Sequence, residues 1–256
     1  LLAFLPAKAA LAGQWNYYLA YQNATQVCPV GQMVYGLFDG NLLSYDTKTE
    51  EVHLFSRNDG LTGKNIIHMA YCAPAKALFL VYDDLGIDVL GRDGSVVFMP
   101  QLKESYSGIS TVNDLKICGT TALLAMSDGL VMADVKNGEF KSYYKLGKAV
   151  YSAIIHKDQC FASTDNGILA CPLSRNMADP SQWTTVASEK ATDFTIFAEA
   201  VYYNVREGSG KGFWRFTIDN DGKSITPAKI ADPVFPQLCA TAQTMLAKSG
   251  EWLFVY

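Results

Sequence analysis

Leu78-Phe79-Leu80-Val81-Tyr82-Asp83-Asp84-Leu85-Gly86-Ile87-Asp88-Val89-Leu90 sets two short apolar runs on either side of a turn rich in Asp and ending in Gly. Runs of β-formers on both sides of such punctuation read as the two strands of an antiparallel hairpin. The pattern recurs at Phe38-Asp39-Gly40-Asn41-Leu42-Leu43, Ser127-Asp128-Gly129-Leu130-Val131-Met132, Thr164-Asp165-Asn166-Gly167-Ile168-Leu169 and Gly210-Lys211-Gly212-Phe213-Trp214. The anchor residues Gly40, Gly86, Gly129, Gly167 and Gly212 stand 46, 43, 38 and 45 residues apart. Glycine is expected at these anchors because the turn demands a positive φ.

Each repeat has the same internal order. A first apolar strand, such as Ile66-Ile67-His68-Met69-Ala70-Tyr71, leads to a second, the anchor turn, a third strand, a further turn such as Arg92-Asp93-Gly94, and a more polar fourth strand. Four antiparallel strands per repeat of this length describe an all-β protein, a β-propeller of four-stranded blades. The first strands should be innermost and the fourth outermost. Blades are expected at about 24–61, 66–108, 112–147, 150–186 and 191–230, with the start of a sixth at 239–256. On this count the ring is incomplete, and residues 13–256 form the first part of an N-terminal propeller. No stretch carries the i, i+3, i+4, i+7 apolar spacing of a long helix.

The composition agrees. Of 256 residues 49% are hydrophobic and 18% charged, which suits a packed core, and 12% are aromatic, which favours strands. A net charge of −4 argues against nucleic acid as partner. The opening Leu1-Leu2-Ala3-Phe4-Leu5-Pro6-Ala7-Lys8-Ala9-Ala10-Leu11-Ala12 ends in a small-x-small sequence. Residues 1–12 read as the remnant of a signal peptide, the alternative being a short packed helix. No window reaches the roughly 18 apolar residues of a transmembrane span.

An exported chain can keep disulfides, and six cysteines are present. A two-residue turn at Asp165-Asn166 places Cys160 opposite Cys171. If that pair is of the non-hydrogen-bonded kind, its Cα atoms lie about 4.5 Å apart, within reach of a disulfide. The alternative is that both are small buried hydrophobes.

The stretch Leu54-Phe55-Ser56-Arg57-Asn58-Asp59-Gly60-Leu61-Thr62-Gly63-Lys64-Asn65-Ile66-Ile67 resembles the two-component-regulator propeller repeat. Trp15-Asn16-Tyr17-Tyr18, Leu43-Ser44-Tyr45-Asp46, Gly86-Ile87-Asp88-Val89-Leu90, Met99-Pro100-Gln101-Leu102-Lys103 and Thr111-Val112-Asn113-Asp114-Leu115 extend the likeness. In that order they are similar to the N-terminal propeller of the PorZ-type proteins of the type IX secretion system. The resemblance implies a protein at the cell surface, associated with the outer membrane, working in an attachment complex with a surface sortase and supplying anionic lipopolysaccharide. It brings no catalytic motif. The competing readings are a periplasmic glycan-sensing propeller of a hybrid two-component regulator and a propeller-fold enzyme.

The residues themselves point to binding over catalysis. His53, His68 and His156 fall in different repeats and not at metal-ligand spacing, and Gly-x-Ser-x-Gly does not occur. Asp219-Asn220-Asp221-Gly222 begins like a calcium loop, but its twelfth position is Ile230 where a bidentate Glu belongs, so it reads as a hairpin turn. No catalytic residue, cofactor or metal is assigned. Trp15, Tyr17, Tyr18 and Tyr21 form a candidate contact surface, or pack the leading segment on the ring.

Overall fold

A computed structural model describes residues 20–105, 110–219, 224–235, 237–240, 244–249 and 252–255. Residues 1–12, Trp15, Tyr17, Tyr18 and most of the turn at 219–222 lie outside them.

Among the described residues, five four-stranded antiparallel sheets and a sixth of three strands follow one another along the chain, each strand pairing with the next. The first holds β1 (Ala24–Val30), β2 (Met33–Phe38), β3 (Asn41–Asp46) and β4 (Val52–Leu54). The second holds β5 (Ile66–Cys72), β6 (Ala77–Tyr82), β7 (Ile87–Gly91) and β8 (Val96–Met99). The third runs through β9 (Val112–Cys118), β10 (Thr121–Met126), β11 (Gly129–Asp134) and β12 (Glu139–Lys145). The fourth runs through β13 (Ser152–His156), β14 (Gln159–Thr164), β15 (Gly167–Pro172) and β16 (Thr184–Ala187). The fifth has β17 (Ala191–Phe197), β18 (Ala200–Val205), β19 (Gly212–Ile218) and β20 (Ile225–Ala231), and the last β21 (Gln237–Ala240), β22 (Met245–Ser249) and β23 (Trp252–Val255). The first strands pack in series, β1 on β5, β5 on β9, β9 on β13, β13 on β17 and β17 on β21. That is a β-propeller, with the first strands around the axis as the repeat order required. Helix is limited among the described residues to α1 (Gln101–Ser105) and two 3-10 turns.

Blade sheets are covered on both faces, which explains why their middle strands read as unbroken apolar runs. Along β6, Leu78, Leu80 and Tyr82 enter the core shared with the first blade, while Ala77, Phe79 and Val81 enter the core shared with the third. The two-residue period of a strand thus feeds two cores. The same division holds in β10, where Leu124 faces the second blade and Leu123 the fourth, and in β18, where Tyr203 faces the fourth and Tyr202 the sixth. The first strands are only partly buried, since one part of their surface lines the axial space; in β5 only Ile66, Met69 and Cys72 are buried and the residues between them are half-buried. The fourth strands are the most exposed, β4 throughout.

The glycine anchors need a different explanation in part. Gly40 has φ +77° and Gly167 φ +100°, as a hairpin turn requires. In the second blade, however, the left-handed residue is Leu85, at φ +66°, and neither Gly86 nor Gly129 has a positive φ. A Cβ on Gly129 would lie 2.1 Å from the Tyr144 carbonyl oxygen, one on Gly167 2.1 Å from that of Ala187, and one on Gly212 2.5 Å from that of Ala231. The fourth strand crosses so close to the start of the third that no side chain fits between them.

The expected register of Cys160 opposite Cys171 is present, with Thr164 opposite Gly167 across the two-residue turn. Both thiols are nevertheless free. Counting back from the turn's own hydrogen-bonded pair, Thr164 and Gly167, every second pair is hydrogen-bonded, so Cys160 and Cys171 form a hydrogen-bonded pair with about 5.5 Å between Cα atoms, a separation that by itself suits a disulfide. They act as small hydrophobes in the core between the third and fourth blades, and burial raises the pKa of each thiol.

Candidate functional site

The connection from β4 to β5 builds a cavity with a largely apolar lining. It begins at Ser56, whose backbone is extended and whose Oγ accepts from the Asn58 N–H at 3.2 Å. The Asp59 carboxylate reaches back to the Ser56 N–H and Oγ, both at 2.9 Å, and stands 3.1 Å from His53 Nε2. These reciprocal bonds fix the single turn Arg57–Asp59, and Gly60, at φ +93°, ends it. Arg57 is held at the surface by a bond from its guanidinium to the Thr62 carbonyl oxygen at 3.3 Å.

Beyond the turn the connection is clamped to the second blade. Asp88, fully buried on β7, accepts from the Thr62 N–H at 2.8 Å, Thr62 Oγ1 at 2.7 Å and the Tyr82 hydroxyl at 2.6 Å. Three donors on one carboxylate are what allow a charge to sit inside a blade. Burial, followed by the bond to Asp88, holds the Tyr82 hydroxyl pKa far above the ordinary range. Gly63 has to be glycine here, because a Cβ would fall 2.2 Å from the Tyr82 ring. Asn65 then donates to Asp83 at 2.8 Å, and the Ile66 N–H donates to the Gly40 carbonyl oxygen at 2.9 Å, joining the first blade to the second.

Between these clamps lies a cavity of ≈ 380 Å³. Its apolar lining includes Leu42, Phe55, Leu61, Ile66 and Tyr82, and its two charged lining groups are Arg57 and Lys64, both exposed. The volume falls in the range of small-molecule sites.

The leading segment reaches the same junction. Asn41, another lining residue, donates to the Ala20 carbonyl oxygen at 2.9 Å. Asp39 accepts from the N–H groups of Gln22 at 2.7 Å and Asn23 at 3.1 Å and from Asn23 Nδ2 at 2.8 Å, bonds that lower its pKa. Of the four aromatic residues expected to form a contact surface, Tyr21 is half-buried, its ring centroid 6.5 Å from that of Phe38, and its hydroxyl is enclosed without a hydrogen-bond partner among the described residues. Burial and then the charge of Asp59 raise its pKa. Trp15, Tyr17 and Tyr18 are outside the described residues.

The histidines stay apart, with His68 Nε2 3.0 Å from the Val112 carbonyl oxygen and His156 Nε2 3.1 Å from that of Glu199. Among the described residues no three His, Cys, Asp or Glu side chains come together as metal ligands. No helix among them is long and apolar enough to cross a membrane. Sequence reading passed over Arg57, Lys64, Tyr82 and Asp88 as site residues. The available clue was Asp88 itself, a charge in the middle of the apolar run Ile87 to Leu90.

Comparison with known proteins matches residues 34–184 to the family model of the N-terminal β-propeller domain of PorZ from the type IX secretion system. The chain belongs to this family. The match runs from β2 to the start of β16 and so contains the whole cavity. Among solved structures, PorZ of Porphyromonas gingivalis, described as an essential bacterial surface component of the type IX secretion system, aligns at TM-score 0.71 and 22% identity, covering 94% of this chain and 37% of that one. The extracellular domain of BT3049 from B. thetaiotaomicron, described as belonging to a hybrid two-component system, aligns at TM-score 0.63 and 10% identity, covering 93% and 34%. The propeller domain of Cps50 (Swd1) from Myceliophteria thermophila aligns at TM-score 0.61 and 11% identity, covering 93% and 84%. At these identities the likeness is one of fold, and the chain spans little more than a third of the first two proteins. No curated protein sequence matches the chain.

Proposed function

We propose that this propeller is a non-enzymatic binding and assembly module of a type IX secretion attachment complex, exported and held at the cell surface in association with the outer membrane. The observation that carries the reading is the family match across residues 34–184. The partners proposed are other components of that complex, including a surface sortase, and the ligand an anionic lipopolysaccharide. Residues 1–12 serve as the end of the export signal. Trp15, Tyr17, Tyr18 and Tyr21 are the residues proposed to supply a contact surface.

In a host carrying the complete gene, in-frame deletion of residues 13–190 is expected to release secreted cargo from the surface and leave it without its lipopolysaccharide modification. Cargo that stays anchored and modified would remove the assignment. A periplasmic glycan-sensing module is the second reading, supported by the fold likeness to the extracellular domain of BT3049. The complete gene separates the two, because a membrane helix and kinase downstream would exclude the secretion role.

A further inference from the structure

We propose that the cavity between the first and second blades binds a small amphipathic carboxylate, with its apolar body against Leu42, Leu61, Ile66 and Tyr82 and its carboxylate on Arg57 and Lys64. Charge and shape on a fixed frame favour such a ligand, independently of the secretion reading. The cavity, ≈ 380 Å³, has an apolar lining and two cationic groups, with no carboxylate among its lining residues. Acidic groups nearby are already engaged: Asp59 by Ser56 and His53, Asp88 by Thr62 and Tyr82. Lys64 makes no ion pair among the described residues, and Arg57 uses one guanidinium nitrogen on a neutral carbonyl, which leaves donors for an anion. Arg presents a planar fork that matches a carboxylate, and an apolar body beside it would displace water from Leu42 and Tyr82. The loop carrying both cations is tied to the second blade through Asp88, so the site is pre-organised and its occupant bears little ordering cost.

The test is a titration of the full 256-residue chain with 4-phenylbutyrate, followed by saturation-transfer NMR. Saturable binding with a Kd of about 1 mM is expected for a fragment of this size. The neutral 4-phenylbutyramide should bind at least about fivefold more weakly, and R57Q/K64Q should weaken the acid roughly tenfold while leaving the thermal transition in place, as both side chains are exposed. Equal binding of acid and amide would overturn the proposal, as would an unchanged affinity in R57Q/K64Q. Inorganic phosphate displacing the acid at equal concentration would reduce the site to a general anion patch. Displacement of the acid by a peptide of residues 13–19 would reassign the cavity to the chain's own leading segment.

Discussion

Gly129 and Gly119 separate two reasons for glycine that look identical in a sequence. Gly119 has φ +62° and open space where a Cβ would go, whereas Gly129 has an ordinary φ and a carbonyl oxygen 2.1 Å from that position. Asn tolerates the left-handed region, so Gly119→Asn is expected to cost less than about 1 kcal/mol, while Gly129→Ala should cost at least about 2 kcal/mol by displacing β12. Urea denaturation of the two variants checks the contrast, and equal losses would refute it. Turn chemistry was legible because Asp and Asn before Gly act locally. The close approach of β12 was not, since it depends on a residue fifteen positions downstream. Asn204 makes the same point for polar groups. Its Nδ2 donates to the Phe235 carbonyl oxygen at 2.6 Å and its Oδ1 accepts from the Phe235 N–H at 2.8 Å, all of it buried. Asn204→Ala removes both bonds to Phe235, and a loss of about 2–4 kcal/mol in denaturant-derived stability is expected; less than about 0.5 kcal/mol would mean that water replaces the side chain.

The blades show the same design at their seams and turns. Ser163 accepts from the Ala191 N–H at 2.9 Å and donates to the Ala191 carbonyl oxygen at 2.7 Å, and Ser152 donates to Asp114, so the fourth blade is clasped on both sides by buried hydroxyls. Strand positions were readable from apolar runs and hairpin turns, but these clasps were not, because their partners lie 28 and 38 residues away in a different sheet. At the β11–β12 turn, burial pushes the Asp134 carboxyl up, and the bond from Lys141 with its charge, together with the Asn137 and Lys136 N–H groups, more than offsets it, leaving the pKa below the usual range. A carboxyl lowered in the folded state adds stability above its unfolded pKa, and that stability is lost as the pH falls through the folded value. Asp39 and Asp165 are lowered too, by side-chain bonds from Asn23 and Tyr151 first. Melting temperature should therefore fall as the pH is taken from about 5 to 3, and Asp134→Asn should flatten part of that slope. An Asp134→Asn profile parallel to the parent would show that the carboxylate contributes nothing to it.

At the scale of the molecule, five apolar cores lie between successive blades, each closed by contacts with its nearest neighbour in sequence. Blade number and order were legible because the repeat spacing survives in the glycines and apolar runs. The cavity was not, because it is assembled from β3, β6 and the connection between two blades, and its cations sit in a loop with no periodicity. Nearest-neighbour packing gives a mechanical corollary. Each blade runs from the axis outward and hands the chain to the next innermost strand, so tension applied to the two ends falls on one seam at a time. An optical trap should record a sawtooth, each rupture paying out about 13–16 nm of chain, the extended length of a repeat of roughly 38–46 residues. A single rip spanning several repeats would mean that the blades yield as one body, with the seams sharing the load.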